Sequence, residues 1–238
     1  MDWIEFAGSI LHRQVVAVPS TLGYMPYTFP RIYPILDASV LPASDRVAFI
    51  ERLGCKLAEA GVILLEYRNK AGSNDELLAD CEALRAAMPE GKVKLILDDR
   101  ADLVERTGFD GAHVDAGDAS PAEARRVLGP DRIVGTFGGS EELVEDILLE
   151  PADYLSIGPV FTTHTKQTSR SPIGLEGVRF LRAQAGPGPV LVAVGGITRA
   201  TAAQVLLAGA DVVAASEGIF GQSDPAAEFR LWLAELGQ

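Results

Sequence analysis

Three phrases in this 238-residue chain carry residue types suited to holding phosphate. They are Gly158-Pro159-Val160-Phe161-Thr162-Thr163-His164-Thr165-Lys166, Val194-Gly195-Gly196-Ile197 and Ala215-Ser216-Glu217-Gly218, and each follows a short apolar run. A strand that ends in Gly, Thr or Ser exposes backbone N–H groups at the start of the next helix, where anions bind. Thr163, Thr165 and Ser216 add hydroxyls, and Lys166 adds an ammonium group, as donors to phosphate oxygens. A lone Gly195-Gly196 also reads as a tight turn. All three phrases in order strengthen the phosphate reading.

A second group is charged. In Glu66-Tyr67-Arg68-Asn69-Lys70 alternate residues of an extended segment share a face, so Glu66, Arg68 and Lys70 point the same way. The alternative is a surface loop with an ion pair. Asp98-Asp99-Arg100 and His113-Val114-Asp115-Ala116-Gly117-Asp118 place carboxylates after two further apolar runs. Two such groups from neighbouring strand ends can hold Mg²⁺, which prefers oxygen ligands and keeps waters for substrate phosphates. Asp99 and Asp118 form the candidate pair. The competing role is helix capping, by Asp98 or Asp99 before Arg100 and by Asp118 before Pro121. His113 reads as a packing residue at a strand end.

These groups need a scaffold that brings strand ends together. Apolar runs lie at Ile32–Leu36, Val62–Leu65, Val93–Leu97, Ala112–Val114, Ile133–Gly135, Tyr154–Ile157, Val190–Val194 and Val212–Ala215. Several are continuous Val, Ile and Leu, as in strands buried on both faces. Between them, apolar residues recur at helical steps: Val47, Ile50, Leu53 and Leu57; Leu77, Cys81, Leu84 and Met88; Leu143, Ile147 and Leu148; Ala202, Val205, Leu206 and Ala210; and finally Phe229, Leu231, Trp232, Leu233 and Leu236. This alternation predicts an α/β fold, a (β/α)8 TIM barrel over residues 31–238, with chemistry in the loops after the strands. A doubly wound open sheet is the competing architecture, but no Gly-x-Gly-x-x-Gly turn follows the first run. Residues 1–30, with Pro19, Gly23, Pro26 and Pro30, read as an irregular N-terminal extension.

Composition narrows the partners. The net charge of −12 argues against nucleic acid and against an anionic membrane surface. There is no apolar run of about 18 residues and no basic start leading into an apolar core, which points to a cytoplasmic protein. Cys55 and Cys81 read as buried free thiols, and the three histidines lack zinc-ligand spacing. Small phosphorylated molecules remain as substrates. No feature specifies an oligomeric state.

The chain resembles the thiamine-phosphate synthase family, which includes the thiazole tautomerase. The resemblance runs from about Arg31 to the C-terminus. Its phrases are Gly61 to Lys70, Leu97 to Arg100, Asp110 to Asp118, Asp153-Tyr154, Gly158-Pro159 through Thr165-Lys166, Val194 to Ile197, and Gly209-Ala210-Asp211. It implies a (β/α)8 barrel that joins a hydroxymethylpyrimidine diphosphate to a thiazole phosphate, giving thiamine phosphate and pyrophosphate. It also implies Mg²⁺ on Asp99 and Asp118, and diphosphate contacts from Arg68, Lys70 and Lys166. Thr163 and Thr165 match hydroxyls near the thiazole phosphate, and Gly195-Gly196 the phosphate-binding turn. Glu66 and Asp98 stand at substrate-contact positions where the family has Gln and Asn. Asp115 replaces Gly, Phe137 replaces Ser, and Glu217 replaces Ser with Ser216 beside it. The expected mouth carries acids at Asp37, Glu66, Asp98, Asp99, Asp115, Asp118 and Glu217 against bases at Arg68, Lys70 and Lys166. Two other readings stay open: a diverged paralogue acting on another small ligand, and a non-catalytic thiamine-precursor-binding protein. The segment Phe137-Gly138-Gly139 has no histidine for proton transfer, which disfavours the tautomerase.

Overall fold

In the computed structural model, which describes residues 27–115, 117, 119–163 and 170–237, the apolar runs form parallel strands. They are β1 (Ile32–Asp37), β2 (Leu64–Arg68), β3 (Lys94–Asp98), β4 (Gly111–Val114), β5 (Ile133–Gly139), β6 (Tyr154–Ile157), β7 (Val190–Val194) and β8 (Val212–Ala215). Each pairs with its successor, and Ile32 pairs with Val213 to close the barrel. The helices are α1 (Arg46–Glu59), α2 (Asn74–Ala87), α3 (Val104–Thr107), α4 (Pro121–Leu128), α5 (Gly174–Ala185), α6 (Arg199–Leu207), α7 (Glu217–Phe220) and α8 (Pro225–Leu236). None of the described helices is long and apolar enough to cross a membrane.

The two-residue period of a strand sorts its side chains. Ile32, Leu36, Leu65, Tyr67, Leu95, Leu97, Val134 and Leu155 belong to the large core between strands and helices. Tyr33, Leu64, Ile96, Ile133, Tyr154, Val192 and Val212 fill the barrel interior, and Phe29, just before β1, packs against Tyr154 below them. Following the inward positions upward, the first three strands turn polar: Tyr33 leads to Asp37, Leu64 to Glu66 and Arg68, Ile96 to Asp98. The strands therefore run further than their apolar runs. Glu66, Arg68 and Asp98 belong to strands, not loops, and the ladder holds their backbones.

Between β5 and β6 the expected helical stripe of Leu143, Ile147 and Leu148 is not a helix. Gly138 and Gly139 carry β5 onward through a register shift, and Leu143 pairs back onto Gly139. Asp146 then enters a left-handed conformation that starts a single 3-10 turn, Ile147–Leu149. Pro151 disfavours helical backbone in the residue before it, so nothing longer fits. Ile147 is buried and Leu149 is exposed. A second correction concerns Cys55, which is exposed on α1 while Cys81 is buried.

The lower rim, at the strand N-termini, is stitched by a repeated device. Arg85 of α2 pairs with Asp110, Arg125 of α4 with Asp153, and Arg182 of α5 with Asp211. Each aspartate precedes one strand and accepts an N–H from the strand before it, from Leu95 (3.0 Å), Val134 (2.7 Å) and Leu191 (2.8 Å) respectively. Three of the phrases that carry the family resemblance, those of Asp110, Asp153 and Asp211, thus belong to the face opposite the chemistry, where barrels hold stability.

Candidate active site

A cavity of about 460 Å³ opens at the carboxyl ends of the strands. Its charged wall is built by β1 to β3. Arg68, the last residue of β2, sits between two carboxylates that end the neighbouring strands. Its Nη1 pairs with Asp37, and its Nε lies 3.2 Å from Asp98 Oδ2. Lys70 Nζ pairs with Asp99 and lies 3.6 Å from Asp98 Oδ2. Both carboxylates that flank Arg68 are buried. Burial works to raise the Asp37 pKa, but hydrogen bonds from Ser39 and the Arg68 guanidinium hold it below the ordinary carboxylate value.

The loop bearing Lys70 is anchored from outside the barrel. Asn69 accepts the Gly72 N–H at 2.7 Å and donates to Glu76 at 3.1 Å. Behind it, the buried Asp80 takes the Arg46 guanidinium fork and the Tyr67 hydroxyl. Sequence reading gave no sign of this support, because Asp80 sits in an otherwise ordinary helical pattern.

Asp99 has left-handed backbone (φ 65°) and donates its N–H to His113 O at 2.7 Å. Its Oδ1 is buried and has no hydrogen-bond partner. Neither Asp98 nor Asp99 caps the turn that follows: Ala101–Leu103 starts at Arg100 with no side-chain cap. Helix α4 is capped by Ser120 and Glu123 in a reciprocal capping box. Asp118, Thr165 and Lys166 lie outside the described residues.

The floor of the cavity is a chain of hydroxyls that the sequence reading missed. Tyr33 donates to Glu66 Oε2 at 3.2 Å. Tyr154 stacks on His113 and lies 3.1 Å from its Nδ1, while Ser156 Oγ lies 3.4 Å from its Nε2. Burial first, and then the Glu66 carboxylate among nearby groups, pushes both tyrosine hydroxyls well above their ordinary pKa, so they stay protonated donors. The available signal was a tyrosine at an inward position of each of two strands. Gly135 makes this floor possible, because any Cβ there would fall on the Tyr154 ring.

The opposite wall comes from β6 to β8. Phe161 N donates to Gly195 O and Val160 N to Val194 O, both at 2.9 Å, so the two loops run together. Gly195 and Gly196 have φ of 97° and 64°, and a Cβ on Gly196 would meet the Thr162 and Phe161 backbone. Only glycine fits this close approach. Ser216, whose Oγ is buried with no hydrogen-bond partner, lines the cavity with Thr163 and Thr198. Glu217 stands exposed at the rim. The structure thus brings Glu66, Arg68, Asp98, Thr163, Gly195, Gly196 and Ser216 around one cavity, with Lys70 and Asp99 bound to its charged wall. Arg170 also lines it, its guanidinium 3.9 Å above the Phe137 ring centre, and corrects the expected charge balance. Its position four residues after Lys166 was the only sign in the sequence.

A family model described as thiamine monophosphate synthase matches residues 32–219. The chain is 41% identical over 185 residues to a thiamine-phosphate synthase of Koribacter versatilis, covering 78% of this chain and 86% of that one. It is 32% identical over 200 residues to a thiamine-phosphate synthase of Chloroflexus aurantiacus, covering 84% and 89%. The solved structure of thiamine phosphate pyrophosphorylase from Pyrococcus furiosus superposes with a TM-score of 0.69 at 24% identity, over 87% of this chain and 95% of that one, which shows the shared barrel.

Proposed function

The chain belongs to the thiamine monophosphate synthase family, and on that premise we propose that it joins a hydroxymethylpyrimidine diphosphate to a thiazole phosphate. The observation that carries this reading is one cavity with two different walls. Arg68 and Lys70 lie on one side among acids, and the double-glycine turn with Ser216 lies on the other. Two phosphorylated molecules can meet there with their reacting atoms between them.

In this reading the bond between the pyrimidine methylene carbon and the diphosphate oxygen breaks, and its electron pair leaves with the diphosphate. The ring delocalises the methylene cation. The thiazole nitrogen then forms the new C–N bond with its lone pair, giving thiamine phosphate and pyrophosphate. Arg68 and Lys70, with Lys166, hold the diphosphate as negative charge grows on it. Groups preorganised toward a developing charge are worth about 10²–10³ each in rate. Gly195, Gly196, Thr163, Thr165 and Ser216 hold the thiazole phosphate, which orients the nitrogen for attack. Glu66 and Asp98 face the pyrimidine end from the floor and the charged wall.

The unpartnered, buried Asp99 Oδ1 suits a hard cation, and Asp99 with Asp118 would hold Mg²⁺. When bound, that ion neutralises charge on the leaving diphosphate. Among the described residues no cluster of three or more acidic, histidine or cysteine side chains is placed to hold a metal, and Asp118 lies outside them. The composition suits a cytoplasmic enzyme. The test is direct: purified protein with both substrates and Mg²⁺ should yield thiamine phosphate, and Asp99→Ala should abolish it. A folded wild-type protein that forms no product would overturn the proposal.

A further inference from the structure

Inside the barrel, aromatic rings stand one on another from the lower rim to the cavity. Tyr27 meets Phe29 edge to face, with ring centres 4.9 Å apart. Phe29 meets Tyr154 the same way at 5.4 Å. Tyr154 stacks on His113 at 5.5 Å, with the ring planes 22° apart. His113 lines the cavity, and so does Ser156, two residues beyond Tyr154 on β6. The foot of the column is tied down. The Tyr27 hydroxyl donates to Ile63 O at 3.4 Å, and the same carbonyl accepts the Lys94 N–H at 2.9 Å.

The middle of the column has no spare room. Phe29 is 5% exposed and Tyr154 1%. The Tyr154 ring occupies the space that a Cβ on Gly135 would need. Its hydroxyl lies 3.1 Å from His113 Nδ1. Tyr154 is therefore bounded by His113 above, Gly135 beside and Phe29 below. When a buried ring is cut back to a methyl group, its neighbours relax only in part into the space left behind. With Phe29 gone, the open side of Tyr154 faces away from the cavity. Any relaxation of Tyr154 that way draws down the imidazole stacked on it and bonded to its hydroxyl.

We propose that Phe29 is a positioning residue for the cavity floor, acting through Tyr154 on His113, so that a flat heteroaromatic ring finds the floor at the right height. This rests on the reading above, in which the pyrimidine lies at the floor, but it is tested separately from it. Two readouts are taken on wild type, Phe29→Ala, Phe29→Leu and Leu84→Ala, which cuts a buried side chain of the outer core away from the column. The first is the NMR signal of the His113 ring, one of three histidines, identified by its loss in His113→Asn. The second is calorimetric affinity for the pyrimidine diphosphate with Mg²⁺ and, separately, for the thiazole phosphate. Displacement of about 1 Å from a distant mutation can cost about 10²-fold, so a partly relaxed floor should weaken pyrimidine diphosphate binding about tenfold in Phe29→Ala. Thiazole phosphate binding should stay within about threefold, since the double-glycine turn and Ser216 lie on the opposite wall. The His113 signal should shift in the same variant. Phe29→Leu refills most of the space and should return both readouts close to wild type. Leu84→Ala should lower Tm and leave both in place.

A His113 signal that stays put in Phe29→Ala, or shifts equally in Leu84→Ala, overturns the inference. So does equal weakening of both ligands, or a pyrimidine diphosphate affinity unmoved by Phe29→Ala. Continued formation of thiamine phosphate in any of these cases leaves the proposed reaction standing. Pyrimidine diphosphate binding that depends on Phe29, in a protein that forms no thiamine phosphate, upholds the inference and sinks the reaction. A wild type that does not bind the pyrimidine diphosphate sinks both.

Discussion

Replacing Arg68 with Met tests whether the charged wall is a structural element as well as part of the proposed site. The guanidinium bridges Asp37 and Asp98, both with side chains 8% exposed. Removing one partner of a buried ion pair costs about 3–5 kcal/mol, because the other charge stays buried and uncompensated. Here the loss is partly offset. Asp37 keeps the Ser39 N–H at 2.9 Å, and Asp98 keeps Lys70 at 3.6 Å. The lower end, about 3 kcal/mol, is therefore expected. For a chain of this size that is a fall in Tm of about 6–12 °C. The assay is thermal unfolding without ligands at pH 7, in wild type, Arg68→Met, Asp37→Asn and the double variant. Asp37→Asn should recover part of the loss in the Arg68→Met background while costing stability on its own, a coupling that only neighbours show. An Arg68→Met protein within about 2 °C of wild type would refute the reasoning. The wall would then be screened by water, and its charges would matter for ligands alone.

Three further outcomes follow from the same geometry. Gly135→Ala should lower Tm by about 4–8 °C, from roughly 2 kcal/mol of overpacking against the Tyr154 ring, and should change the near-UV circular dichroism of the tyrosines; an unchanged Tm would mean the floor can shift. The Asp37 pKa lies below its ordinary 3.8, so between those two values the unfolded chain binds more protons and stability rises with pH. Acidification below about pH 4 should therefore cost wild type stability that Asp37→Asn does not lose, as read from urea midpoints at pH 5 and pH 3. A thiol reagent should label Cys55 fast and Cys81 only on unfolding, because burial removes access to Cys81 and pushes its thiol well up; two fast equivalents would contradict the packing of α2.

The barrel was legible because its strands bury both faces, so runs such as Val190–Val194 are apolar throughout. Strand ends were not, for a reason that belongs to the cavity they line. Inward positions change from Leu64 to Glu66 and from Ile96 to Asp98, so the polar lining of the cavity breaks the apolar signal that marks a strand. The stripe of Leu143, Ile147 and Leu148 had helical spacing, but Leu143 pairs back onto Gly139 and Asp146 is left-handed, so only the turn Ile147–Leu149 forms before Pro151. Glu66, Arg68 and Lys70 were found by alternation alone. Tyr33, Tyr154, Ser156 and Arg170 were not, because they meet only once the strands are closed into a barrel, which no local pattern records.

The three arginine–aspartate stitches on the lower rim have a consequence for how this chain can vary. Each ties a helix to the two strands that follow it: α2 to β3 and β4, α4 to β5 and β6, α5 to β7 and β8. The connections that fall between these units are those from β2 to α2, β4 to α4, and β6 to α5. They are also the ones that hold Lys70, Asp118, and Thr163 to Arg170. The chain is thereby divided into modules whose joints are the segments proposed to bind substrate. Residues at the joints can be exchanged, lengthened or recharged without untying a module, so a scaffold of this kind can drift toward new ligands while its stability stays where the stitches put it.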